Sequence, residues 1–188
     1  MDTHQVESPN SVTTSRRRLI ASLLAGGAAV AVAPVLAGRA SAEGATDVPH
    51  RDAGDNATLN AGLEREMRMA ATYRIAVAAA SGDDNKAALS LVLDHHVAYA
   101  QAIRGYLATK VVTPNEAPLA SPSGSFAQIA VQLASLEDQT TTIHIDSLAN
   151  IKGLDASTLI ASIVTVEARH AAALTLVAGA TPIIAAGN

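Results

Sequence analysis

The sequence predicts an all-α protein, an antiparallel four-helix bundle. Apolar residues recur at steps of three and four in four successive segments, which is the spacing of a bundle seam. The apolar content is mainly Ala, Leu, Val and Ile, with only three Tyr and one Phe. A core of this composition favours closely packed helices over a sheet, which usually contains more aromatic side chains.

Turn signals separate the four predicted helices. Ser81-Gly82-Asp83-Asp84 and Lys152-Gly153-Leu154-Asp155 make short turns, whereas the stretch 111–124 contains Pro, Ser and Gly and is longer. Two short turns and one long connection predict two helical hairpins joined by a crossover between the second and third helices. The predicted ranges are 56–80, 84–109, 125–151, and a last helix that starts near Asp155 or Ser157.

The N-terminus has the pattern of an export signal. Ser15 is followed by Arg16, Arg17 and Arg18, then by an apolar run to about residue 36 and the small residues 38–42. The paired arginines resemble the twin-arginine motif, although Leu19 stands where that motif prefers Phe and Ala21 where it often has Lys. An ordinary secretory signal or an uncleaved membrane anchor would give a similar pattern.

These features divide the chain into four parts. We expect a signal peptide over 1–42, a flexible lead-in over 43–54, the helical bundle over 55–180 and a short tail over 181–188. Cleavage near Glu43 would release a protein to the periplasm, the cell envelope or the medium. The twin-arginine machinery, the expected partner in export, carries folded proteins, so a cofactor could be loaded before export.

Composition narrows the chemistry that the bundle can perform. The chain has no cysteine, so a metal would have to be held by oxygen and imidazole ligands. The formal net charge is −4 and no long basic run lies outside the N-terminus, which argues against binding to nucleic acid.

Ionisable side chains fall on the inner stripes, where a core should be apolar. An unpaired buried carboxylate costs several kcal/mol, and these stripes carry no Lys or Arg as a partner. A divalent cation with imidazole ligands would supply the missing positive charge. The candidate metal ligands are Glu66, His96, Glu137, Glu167 and His170, with His144 as a sixth polar residue on the stripes.

Spacing strengthens the metal hypothesis. Glu167 and His170 form Glu-x-x-His, which places both side chains on one helix face. Bundles that bind two metals combine such a motif with single Glu residues from two other helices, here Glu66 and Glu137. The two halves also correspond, because Tyr73 follows Glu66 by seven residues and His144 follows Glu137 by seven.

The stretch from Glu66 to Tyr73 resembles the first-helix motif of rubrerythrins and related ferritin-like proteins, and Glu167-x-x-His170 resembles their last-helix motif. With the export signal and the Ala-rich helices, the chain is similar to exported ferritin-like domain proteins of bacteria over residues 55–178. The resemblance implies a ferritin-like bundle with a di-iron or di-manganese centre.

One position departs from the family pattern. A second Glu-x-x-His would need a carboxylate three residues before His96, and that residue is Leu93. The neighbouring Asp94 points about 100° away and reaches the interior only if the second helix is locally overwound. The sequence therefore leaves open whether the site holds two metals, one or none.

Several roles also stay open. His144 is either a ligand or a neighbour that hydrogen-bonds to one, and Tyr73 is expected to pack and to hydrogen-bond a ligand carboxylate. The Leu63 register and the Tyr73 spacing favour Glu66 over Glu64 as the buried carboxylate. We expect His95, off the seam, to form a surface or half-buried pair with Tyr99.

Two functions fit these observations. The first is an exported metal-binding protein that handles iron or manganese ions, with ferroxidase or peroxide-handling activity if two metals bind. The alternative is a structural or stress-related bundle that has lost the dinuclear centre. Sequence alone does not decide whether the chain is an enzyme or whether it forms a homo-oligomer.

Overall fold

The computed structural model describes residues 50–179, and every regular element in this range is a helix. The predicted four helices are confirmed, with ends that differ from the expected ones by a few residues. Their bounds are Asn56–Ala79 (α1), Asp83–Leu107 (α2), Phe126–Leu148 (α3) and Leu154–Val177 (α4), with short 3-10 turns at Ala53–Asp55 and Ala108–Lys110. The predicted signal peptide, lead-in residues 43–49 and the tail 181–188 lie outside the described residues.

The helices pack as two hairpins. α1 lies against α2 and α3 lies against α4, while lighter contacts join α1 to α3 and α2 to α4. This pairing requires a connection that runs the length of the bundle between α2 and α3, since a direct turn would make those two helices neighbours. The predicted crossover bundle is confirmed.

The crossover is held along α1 by a row of polar side chains spaced four residues apart. The Asn60 carboxamide donates to the Lys110 carbonyl and accepts from the Val112 N–H at 2.7 Å. Further along, the Asn115 N–H donates to Glu64, and Arg68 donates to a crossover carbonyl. Finally the Leu119 N–H donates to the Thr72 hydroxyl at 2.9 Å. A spacing of four keeps these side chains on one face of the helix, so this face of α1 guides the crossover.

Two turns show why the helices begin where they do. Gly82 precedes α2 with φ of 83°, a conformation that glycine adopts without strain. Ser125 caps α3 through a capping box, in which its hydroxyl accepts from the Gln128 N–H while the Gln128 side chain accepts from the Ser125 N–H.

The start of α4 is capped by residues that precede α1. The buried Asp55 carboxylate accepts hydrogen bonds from the Lys152 and Gly153 N–H groups at 2.9 and 2.8 Å, and the His50 carbonyl accepts from the Asp155 N–H. α4 starts at Leu154, close to the predicted start near Asp155 or Ser157, but neither of these side chains caps it, because the acceptors lie about 100 residues away in sequence. A Cβ atom on Gly153 would lie 2.8 Å from the Asp55 carboxylate, so this approach needs glycine.

The interior has two apolar clusters with a polar layer between them. One cluster joins the end of α1 and the start of α2 to the start of α3 and the end of α4, around Tyr73, Leu89 and Leu133. The other joins the opposite ends of α1, α2 and α4, around Leu63, Ile103 and Ile160. The ionisable residues of the inner stripes lie between them, near the middle of each helix.

α4 is the one described helix that is long and apolar enough to cross a membrane. Here it lies in the bundle with its inner face buried, and that face carries Glu167 and His170. Its composition is therefore that of a core helix.

We predict that Asp55→Ala lowers the free energy of unfolding by about 1–3 kcal/mol, because the buried Gly153 N–H and the partly buried Lys152 N–H lose their acceptor. Urea unfolding monitored by circular dichroism measures this change. The control is Asp146→Ala, which removes an exposed carboxylate on α3 and should change stability by less than about 0.5 kcal/mol. Equal stability of both variants would contradict the capping role of Asp55.

Candidate metal centre

Six ionisable side chains from all four helices meet in the polar layer, and each is at most 1% exposed. They form two groups of three, and within each group one donor atom from every residue lies within 4.8 Å of the others. We call them the histidine-rich group (His96, Glu137 and His170) and the glutamate-rich group (Glu66, His144 and Glu167).

His96 links the two groups. Its Nδ1 lies 2.8 Å from Glu66 Oε2, and its Nε2 lies 3.1 Å from Glu137 Oε1. The ring therefore lies between a carboxylate from α1 and one from α3, and both of its nitrogens are occupied. One imidazole thus sets the separation of two buried carboxylates.

The seven-residue spacing shared by α1 and α3 places the two helices in reciprocal contact. Tyr73, seven residues after Glu66, donates its hydroxyl proton to Glu137. His144, seven residues after Glu137, places its Nε2 2.7 Å from Glu66 Oε1. Because α1 and α3 run in opposite directions, each helix supplies a carboxylate and, two turns later, the partner of the other carboxylate.

Without a metal, His96 carries the compensating positive charge. Burial opposes ionisation of the ring, but Glu137 and Glu66 outweigh it and raise the pKa of His96 to about 10. Burial also acts to raise the pKa of Glu66, yet His96 and His144 lower it to about 2. The pKa of Glu137 is likewise lowered, since His96 and His170 outweigh the effect of burial.

Glu167 behaves in the opposite way. Burial, then the charges of Glu66 and Glu137, raise its pKa to about 12, so its carboxyl group stays protonated at neutral pH in the metal-free protein. His144 Nε2 is 3.6 Å from Glu167 Oε1, beyond hydrogen-bond range. Glu66 and Glu137 therefore stay ionised around the charged His96, while Glu167 is neutral.

Four buried atoms of the two groups, each a possible metal ligand, lack a hydrogen-bond partner within residues 50–179. They are Glu137 Oε2, both carboxyl oxygens of Glu167, and His170 Nδ1. Buried polar atoms are nearly always paired, and an unpaired one costs about 1–3 kcal/mol. Carboxylate oxygens and imidazole nitrogens are ligands for iron and manganese, so the residues present fit a metal.

One basic side chain lies beside the site. Arg65 is half-buried between α1 and α3, where its Nε donates to Thr140 Oγ1 at 2.8 Å and a terminal nitrogen donates to the Leu136 carbonyl. Burial lowers the pKa of Arg65, against the opposing effect of the charges on Glu167 and Glu66. Its hydrogen bonds hold the guanidinium on α3.

The structure brings together all five predicted ligands and the two neighbours Tyr73 and His144. Asp94 is exposed and belongs to neither group. Leu93 packs, partly buried, against an apolar cluster. The position of the absent fourth carboxylate is thus apolar, and His144 is the sixth residue of the two groups. Glu64 is 41% exposed, in line with the preference for Glu66.

The expectation of a surface or half-buried His95 was wrong. Its side chain is 2% exposed, and its Nδ1 lies 2.8 Å from His170 Nε2. Burial and the neighbouring His170 and His96 lower the pKa of His95 to about 4, so the ring is neutral. A second inward row on α2 could have revealed it, because Val92, His95 and Tyr99 follow the steps of three and four.

Four helices thus enclose a buried layer of carboxylates and imidazoles, an arrangement compatible with metal binding. A family model described as ferritin-like domain matches residues 54–180, and the chain belongs to this family. No curated protein and no solved structure matches the chain.

We predict that the metal-free protein loses thermal stability between pH 7 and 9. The folded-state pKa values of His96 and Glu167 are raised, so the folded protein holds two protons that the unfolded chain releases above about pH 6.5 and 4.5. Stability therefore falls as pH rises through this window. Melting temperatures of chelator-treated protein measure the effect.

The matched variant for this measurement is Glu167→Gln, whose amide cannot ionise. It should retain only the His96 contribution and show a shallower fall of melting temperature with pH. A melting temperature that rises from pH 7 to 9 would contradict the assigned protonation states.

Proposed function

We propose that this chain is an exported ferritin-like protein that binds two iron or manganese ions in its core, one at each group of three residues. The main support is that four buried ligand atoms of these groups have no hydrogen-bond partner among the described residues. Two metal ions, one in each group, would bind all four atoms and would replace the protons held by His96 and Glu167.

The two groups differ in their chemistry. The histidine-rich group offers two imidazoles and one carboxylate, the set typical of mononuclear non-haem Fe(II) sites. The glutamate-rich group offers two carboxylates and one imidazole, a harder and more negative environment that suits Mn(II) or Fe(III). His144 is therefore assigned as a ligand, because it completes the glutamate-rich group.

The chemistry proposed for the loaded protein is ferroxidase or peroxide-handling activity, which a pair of redox-active metals would supply. The chain's own residues hold the donors in place: Tyr73 restrains Glu137, and the apolar clusters on either side exclude water. Iron or manganese ions would in this case be bound cofactors, and Fe(II) would also be a substrate.

A second candidate function is a structural or stress-related bundle without a metal. It is favoured by the pairing of His96 with two carboxylates and by the protonation of Glu167, which leave the metal-free interior partly neutralised. Metal analysis separates the two candidates.

We predict that the purified mature protein, reconstituted with Fe(II) or Mn(II), holds about two equivalents of metal by plasma mass spectrometry. Glu137→Gln should remove the ion of the histidine-rich group, and Glu167→Gln that of the glutamate-rich group. Each variant should then hold about one equivalent, and the double variant none.

The control for these variants is Glu64→Gln, which changes a partly exposed carboxylate on α1 and should leave the stoichiometry unchanged. About one equivalent in the unaltered protein, abolished by one variant only, would replace the dinuclear proposal with a mononuclear site. No metal after reconstitution with either ion would favour the second candidate.

The protein is further proposed to leave the cytoplasm by the twin-arginine route. Arg16 and Arg17, ahead of the apolar run, support this route. We predict that replacing both with Lys retains the precursor inside the cell, and that exported wild-type protein starts at or near Glu43. Fractionation and N-terminal sequencing test this. An intact N-terminus on membrane-bound protein would instead indicate an anchor.

A further inference from the structure

His95 lies outside both groups of candidate ligands but touches one of their members. Its Nδ1 is 2.8 Å from His170 Nε2, and both side chains are buried. The two rings are tilted by only 14° and their centroids are 5.1 Å apart, well beyond the distance between the bonded nitrogens. The rings therefore meet edge to edge in nearly one plane, as a directed N–H···N hydrogen bond requires.

The other nitrogen of His170 faces the metal site. His170 Nδ1 lies 3.5 Å from Glu137 Oε1 and has no hydrogen-bond partner in the described part of the chain. A neutral imidazole carries one proton, so a ring that binds a metal through Nδ1 must keep its proton on Nε2. That proton then points at His95 Nδ1, which must be the acceptor.

From this geometry we propose that His95 is a positioning residue that fixes His170 in its metal-binding tautomer. The inference rests on the proposed metal site. His95 touches no predicted metal position itself. It acts on the metal only through His170, by accepting the Nε2 proton and by holding the plane of the ring.

The rest of the His95 environment supports this role over simple packing. Once Nδ1 accepts, the proton of His95 sits on Nε2, which is buried and has no hydrogen-bond partner among the described residues. An unpaired buried N–H is unfavourable, so an apolar residue would be the better choice for stability alone. What an apolar residue cannot provide is the acceptor for His170.

Two variants distinguish the role of His95 as a hydrogen-bond acceptor from its role in packing. In His95→Asn, the side-chain oxygen occupies nearly the place of Nδ1 and can accept from His170. In His95→Leu, the volume is largely retained but the acceptor is lost. We expect His95→Leu to weaken Co(II) binding about 10–100-fold and His95→Asn to restore most of it. Competition titrations monitored by Co(II) absorption give these affinities.

Melting temperatures of the metal-free variants provide the structural comparison. If His95 only packs, loss of affinity should follow loss of stability in both variants, and this would overturn the inference. Wild-type affinity in His95→Leu would also overturn it. Wild-type protein that binds no Co(II) would instead overturn the proposed metal site itself.

A second measurement needs no variant. In Zn(II)-loaded wild-type protein with ¹⁵N-labelled histidine, the imidazole shifts should show His170 bound at Nδ1 and protonated at Nε2, with His95 protonated at Nε2. The opposite tautomer of His170 would overturn the inference even if the His95 variants failed to fold.

Discussion

The structure depends on the contact of one imidazole, His96, with two buried carboxylates, Glu66 and Glu137. Three carboxyl groups cannot remain ionised in a closed apolar interior without a nearby positive charge. His96 supplies one charge, and protonation of Glu167 removes a second negative charge. Four ligand atoms of the two groups still lack a hydrogen-bond partner among the described residues, and the proposed metal ions would bind them.

The order of the helices explains how the layer is assembled. Antiparallel α1 and α3 bring two Glu residues together from opposite directions, so each carboxylate meets the residue seven positions after the other. α2 and α4 then supply the imidazoles of the histidine-rich group. The crossover along α1 makes this possible, because it lets α3 enter antiparallel to α1.

The period of the inner stripes predicted the bundle and its polar layer, since Glu66, Glu137 and Glu167 could not occupy seam positions without being buried. The one seam considered on α2 left out His95, which lies on a second inward row with Val92 and Tyr99. A single seam describes one line of contact, whereas α2 packs against both α1 and α4 and buries a wider arc that includes His95 and Tyr99.

Two other features of the structure could not be predicted from the sequence, because they depend on contacts between residues far apart in the chain. The cap of α4 comes from Asp55, which no local reading of residues 152–157 contains. The ligand role proposed for His144 rests on the position of its ring beside Glu66 and Glu167, which the sequence alone does not give.

The alternation of apolar, polar and apolar layers has a further consequence for the alignment of the helices along the bundle axis. A shift of α4 by one turn, about 5.4 Å, would move Glu167 toward an apolar cluster and bring an apolar side chain into the polar layer. Uniformly apolar helices can slide past one another at little cost, whereas these cannot. The same residues that are proposed to hold metal would thus also fix the register of the bundle, because they favour one axial alignment of the four helices.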